Sequence, residues 1–102
     1  MLGGICDASA FLGTISILNN VVHTCNDLND LKQWAGANYT GEANYIAKQA
    51  VCNINVVTAN GTAPLEFAKE ILFALNVADE KTIADWYNFH KIDVYTAPMP
   101  EM

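Results

Sequence analysis

The chain has 102 residues, enough for one core and too few for two. It carries five Lys, no Arg and eleven acids, for a net charge of −6, with 52% apolar and 16% charged residues. That balance excludes an acidic disordered tail, which would be poorer in apolar residues, and a nucleic-acid binder, which needs a basic face.

The opening Met1-Leu2-Gly3-Gly4-Ile5-Cys6-Asp7 has no cationic region before an apolar run, so it does not read as a secretory leader. Ile5 stands where a lipid-anchor site needs a small residue. Cys6, Cys25 and Cys52 are widely spaced and form no CxxC pair. They read as small buried hydrophobes in a cytoplasmic or otherwise reducing compartment. Neither a metal site nor a cofactor is signalled.

The first predicted helix covers about 8–34, with Asp7 or Ser9 as its N-cap. Phe11, Ile15, Leu18, Val22 and Cys25 recur at helical spacing, and Leu12, Ile17 and Val21 widen the stripe. The first half is therefore apolar nearly all round, as a central or covered helix is. Gly13 marks a close helix crossing. The stretch is uncharged from Ala8 to Asn26, but Ser, Thr, Asn and His residues interrupt it, so no membrane contact is expected.

A second helix is expected over about 41–59, where Ala43, Ile46, Ala47, Ala50, Ile54 and Val57 share a face. Within it, 51–58 is β-branched and locally favours a strand. Without a visible hairpin partner, the helix is preferred. Asn60-Gly61 stops it. Pro64 opens a third helix to about residue 76, and Asp79 caps a fourth over about 80–90. Pro98 and Pro100 make 92–102 an extended tail.

The expected fold is all-α: a small four-helix bundle-like single domain over 1–102, with a long apolar N-terminal helix. No phosphate loop, hydrolase elbow or metalloprotease motif is read from the spacing. His23 and Asp27 share a helix face without further ligands. Leu75 to Tyr87 has the outline of a helix-turn-helix. However, Asn76 replaces the usual Gly, and Asp79, Glu80 and Asp85 would repel phosphates.

A domain this small cannot hide so much apolar surface, so something must cover it. The functional expectation is a non-enzymatic, self-associating protein-interaction or assembly module, of a kind suited to a virion, phage or microbial accessory role. Its interface would be Phe11, Leu12, Ile15, Ile17, Leu18, Val22, Phe89 and Tyr95, its partner protein, self or other. The alternative is a small-ligand-binding helical protein using His23, Tyr87 and His90. A DNA-binding regulator ranks third on charge. An enzyme ranks last, because no catalytic group has an assignable partner.

Overall fold

The β-branched run inside 41–59 pairs with itself. Strand β2 (Ala50–Asn53) and strand β3 (Val56–Ala59) form an antiparallel hairpin, with Ala50 opposite Ala59 and Asn53 opposite Val56. Ile54 and Asn55 make the two-residue turn, both left-handed at φ 48° and 61°. Positive φ at both central positions is the turn geometry that matches strand twist. Gly or Asn normally supplies it, and a β-branched Ile there is strained. Ile54→Asn with Asn55→Gly should therefore stabilise the chain by about 0.5–1 kcal/mol. A urea midpoint that rises at unchanged slope would bear this out; a lower midpoint would refute it.

Strand β1 (Leu2–Ile5) lies parallel to β3 on its other side, with Leu2 against Val56 and Ile5 against Ala59. The sheet order is β1-β3-β2. Central β3 is buried along its whole length, which explains why it does not alternate; its one polar side chain, Thr58, accepts the Thr24 N–H at 2.9 Å. The computed structural model, which describes residues 1–92, is thus mixed α/β rather than an all-α bundle. The tail from residue 93 on, with Tyr95, lies outside the described residues.

Helix α1 (Asp7–Thr14) covers one face of the sheet, with helix α2 (Leu28–Ala35) packed on α1; helix α3 (Pro64–Leu75) covers the other face. Successive strand residues point to opposite faces. Accordingly, a Cβ on Gly3 would meet Phe67 and Ile71 of α3, and one on Gly4 would meet Ala8 and Leu12 of α1. Helix α4 (Glu80–Ile92) packs on α3. Buried Glu66 of α3 fastens it, accepting from the Tyr87 hydroxyl at 2.6 Å and the Lys91 ammonium at 2.8 Å. Lys91 first and Tyr87 second hold the Glu66 carboxyl below its ordinary range.

The long first helix is also corrected. After α1, Ser16 turns left-handed at φ 67°, a 3-10 turn covers Ile17–Asn20, and Val21 is extended. The uncharged polar residues cause the break, because their side chains compete for backbone groups. The Asn38 amide donates to the Thr14 carbonyl, while Ser16 and Asn19 both donate to the Asn38 carbonyl. Asn19 also accepts the Thr40 N–H at 2.8 Å. α2 begins again where Asp27 accepts the Asp30 N–H. Among the described residues no helix is long and apolar enough to cross a membrane.

Candidate active site

Between β1 and α1 the chain turns at Cys6, whose φ is 58° and ψ −124°. That region is nearly reserved for glycine, and a side chain there costs on the order of 1–3 kcal/mol. The surroundings enforce it. The Cys6 N–H donates to the Ala59 carbonyl at 3.0 Å, and the Ser9 N–H donates to the Cys6 carbonyl at 3.1 Å. Ser9 is fully buried, and its hydroxyl donates to the Gly4 carbonyl at 2.7 Å. The small residues flanking the turn are required by packing: a Cβ on Gly4 would lie 3.0 Å from the Ala8 backbone.

The turn lifts the Cys6 thiol, half-buried, toward two loops from distant parts of the chain. The Asn26 side-chain N–H donates to Cys6 Sγ at 3.1 Å. Asn26 Oδ1 accepts the Gly61 N–H at 2.6 Å, which settles which end of the amide faces the sulfur. Gly61 must lack a side chain, because its Cβ would lie 3.0 Å from Cys6 Sγ and 3.3 Å from Asn26 Oδ1. Asp7 Oδ1 is 4.0 Å from the sulfur. Cys25 Sγ donates to the Cys6 carbonyl at 3.8 Å. A thiol on a strained strand-to-helix turn, with an amide N–H directed at the sulfur, is an arrangement for nucleophilic attack.

Neither His23 nor His90 serves this thiol. His23 is completely buried, its Nδ1 2.7 Å from the Val21 carbonyl and its Nε2 2.7 Å from the Tyr39 hydroxyl. A carbonyl only accepts, so Nδ1 carries the proton and Nε2 accepts from Tyr39. Burial, the larger effect, lowers the His23 pKa from 6.5 against the opposing Val21 bond. It also pushes the Tyr39 hydroxyl up to about 12. The unfolded chain therefore binds the His23 proton more readily than the folded one. Stability is full above pH 6.5 and is lost as pH falls through that value, at up to about 1.4 kcal/mol per unit. Chemical denaturation at several pH values should show this slope. An unchanged midpoint down to the carboxylate range would contradict the assignment.

Of the other residues singled out from sequence, Leu12 and Leu18 lie in the chain's own core and Phe11 and Ile15 on its surface. Ile17, Val22 and Phe89 are half-buried. Tyr87 belongs to the Glu66 fastening, with Lys69 over its ring at 4.2 Å. His90 is exposed, its Nδ1 2.9 Å from the Trp86 carbonyl. His23, Tyr87 and His90 thus do not converge. The apolar recess of 290 Å³ between α3 and α4 is lined by Leu72, Val77, Ala78, Thr82, Ile83 and Trp86, and none of the three lines it. Among the described residues no group of three or more His, Cys, Asp or Glu side chains could hold a metal ion.

The sequence reading missed Cys6, Asn26 and Gly61. The usable signal was Gly4-x-Cys6-x-Ala8, a cysteine version of the small-x-nucleophile-x-small elbow, between an apolar strand and a helix.

No protein-family model matches the chain. It is 42% identical over 90 residues to the "uncharacterized protease YoaZ" of Bacillus subtilis (strain 168), covering 88% of this chain and 42% of that protein. It is 43% identical over 74 residues to the "uncharacterized protease YdeA" of the same organism, covering 70% of this chain and 35% of that one. Among solved structures, it superposes on a thiJ/pfpI family protein from Bacillus anthracis with a TM-score of 0.81 and 40% identity, over 85% of this chain and 41% of the other. On a DJ-1 superfamily protein from Agrobacterium tumefaciens the TM-score is 0.78 at 40% identity, over 88% and 47%. The chain spans less than half the length of each of these proteins. These likenesses overturn the expectation of a non-enzymatic, self-associating assembly module of viral type, and with it the helical ligand-binding and DNA-binding alternatives. The relatives are bacterial, two are named proteases, and the fold is that of one part of the DJ-1/ThiJ/PfpI proteins.

Proposed function

We propose that this chain carries the nucleophile of a cysteine-dependent hydrolase of the DJ-1/ThiJ/PfpI type, with Cys6 attacking a peptide or other acyl carbonyl. The strained Cys6 turn, with the Asn26 N–H 3.1 Å from the sulfur, is the observation that carries this reading. The names of the two Bacillus subtilis relatives point to peptide substrates.

In this mechanism the Cys6 sulfur bonds to the carbonyl carbon, and the carbonyl π pair moves onto oxygen. The first N–H groups of α1, at Asp7 and Ala8, lie where helix N–H groups lack intrahelical partners, and they receive that oxyanion. Collapse expels the amine or alcohol, which takes a proton, and leaves a thioester on Cys6. Water then releases the acid and restores the thiol. Asn26 is a positioning residue: it is fixed by Gly61 and fixes the sulfur in turn. The proton that the Cys6 thiol gives up is the one that the leaving amine or alcohol takes. The three free thiols suit a reducing compartment. Neither nucleic acid nor membrane enters this reading.

Alkylation with limiting iodoacetamide, followed by peptide mapping, tests the thiol directly. Cys6 should label at least about tenfold faster than buried Cys25. A fluorogenic peptide panel should show turnover that disappears in Cys6→Ala. Turnover that persists in that variant would refute the assignment.

A further inference from the structure

We propose that Thr58 is a positioning residue of the reaction: its buried hydroxyl sets the segment that carries Asn26 at the distance from which the Asn26 amide serves the Cys6 sulfur. The proposal rests on Cys6 being the nucleophile and Asn26 its donor, as in the reading above, and not on which acyl substrate is attacked.

One short stretch of chain, residues 58–61, holds both halves of the thiol–amide pair. The Ala59 carbonyl accepts the Cys6 N–H at 3.0 Å, which fixes the backbone of the nucleophile. The Gly61 N–H donates to Asn26 Oδ1 at 2.6 Å, which fixes the far end of the amide. The Thr58 hydroxyl oxygen accepts the Thr24 N–H at 2.9 Å, two residues before Asn26, and so fixes the backbone that bears the amide. Ala59 and Gly61 act through their main chains. Thr58 alone of the three acts through its side chain.

This bond is placed where it governs the segment. Thr58 is fully buried and Thr24 is 1% exposed, so bulk water does not compete for the donor. A buried N–H left without an acceptor is unfavourable enough to shift the chain that carries it. The other ties on the segment are more distant or longer. The Val22 N–H donates to Asn53 Oδ1 at 2.9 Å, four residues before Asn26, and the Tyr45 hydroxyl reaches the Cys25 carbonyl at 3.4 Å.

The chemistry follows from the sulfur's side. The Asn26 N–H, 3.1 Å from Sγ, binds more strongly as negative charge gathers there. Its placement therefore sets how fast Cys6 attacks, and a displacement of about 1 Å can cost on the order of 10²-fold. Being buried, Thr58 touches no substrate. It should alter kcat and leave KM alone.

The test measures iodoacetamide alkylation of Cys6 by peptide mapping, together with peptide turnover. The chains compared are the parent, Thr58→Val, Thr58→Ser, Asn26→Ala and the Thr58→Val/Asn26→Ala pair. Thr58→Val keeps the shape and removes the acceptor. It should slow both alkylation and kcat by at least about fivefold, with KM within about twofold of the parent. Thr58→Ser keeps the oxygen and should recover most of the rate. The double variant should be no slower than Asn26→Ala, because Thr58 acts only through Asn26. If circular dichroism shows Thr58→Val unfolded, Thr58→Ala takes its place in the same cycle with the same expectations. Losses that multiply in the double variant, or a parent-like rate in Thr58→Val, would overturn the proposal and leave Cys6 as the nucleophile. A parent-like rate in Asn26→Ala would overturn it together with the donor role of Asn26. A Cys6 that does not alkylate in the parent chain would remove the nucleophile itself.

Discussion

Cys6→Gly is expected to be more stable than Cys6→Ala by about 1 kcal/mol, while both lose turnover by a factor on the order of 10³ or more. Only glycine occupies φ 58° and ψ −124° freely, and alanine keeps the Cβ that makes this conformation unfavourable. Glycine also gains entropy in the unfolded chain, which offsets part of the relief and keeps the difference modest. The two effects together separate a functional strain from an incidental one. Paired melting curves and peptide turnover provide the measurement. A glycine variant no more stable than the alanine variant would mean that the turn carries no strain worth relieving.

Leu18→Asp is expected to abolish cooperative unfolding, whereas Phe11→Asp changes stability by no more than about 0.5 kcal/mol. Leu18 is completely buried, against α2 and the Gly41 loop, while Phe11 is 61% exposed. A carboxylate at position 18 has no partner to neutralise it. The combined cost of lost packing and buried charge is about 4 kcal/mol or more, most of what a small domain has. Thermal melts followed by circular dichroism would show it. An equal loss at Phe11 would mean that this surface is covered by something else.

How much of this was legible depended on whether the signal was local. α3 and α4 have helical spacing, Pro64 at an opening turn and Asp79 at a cap, where its carboxylate accepts the Thr82 N–H at 2.7 Å. Each signal lies within a few residues of what it specifies. The hairpin was hidden because its turn is Ile54-Asn55, without the Gly that usually announces positive φ. The apparent long helix misled because apolar spacing does not show whether Asn and Ser side chains will take backbone groups for themselves. Leu18 and Val21 reach the core from a bent chain instead. The inference that the opening stretch needs a neighbour fails in part for the same reason. Ala10, Leu12, Leu18 and Val21 are covered by the chain itself, and Phe11 and Ile15 remain outside. The active-site candidate was the least legible. Cys6, Asn26 and Gly61 converge only through the β1–β3 pairing, which no local pattern announces.

The bond from the Cys6 N–H to the Ala59 carbonyl also dictates an order of events. On the ribosome the sulfur emerges before β3 (Val56–Ala59), the strand that bends its backbone. Parallel pairing between such distant segments forms late, because loop closure must come first. Until β3 docks, Cys6 is an ordinary flexible thiol, and Asn26 and Gly61 have nothing to grip. The chain thus acquires its chemistry and its tertiary structure in one step, and a nascent or misfolded copy carries a harmless cysteine.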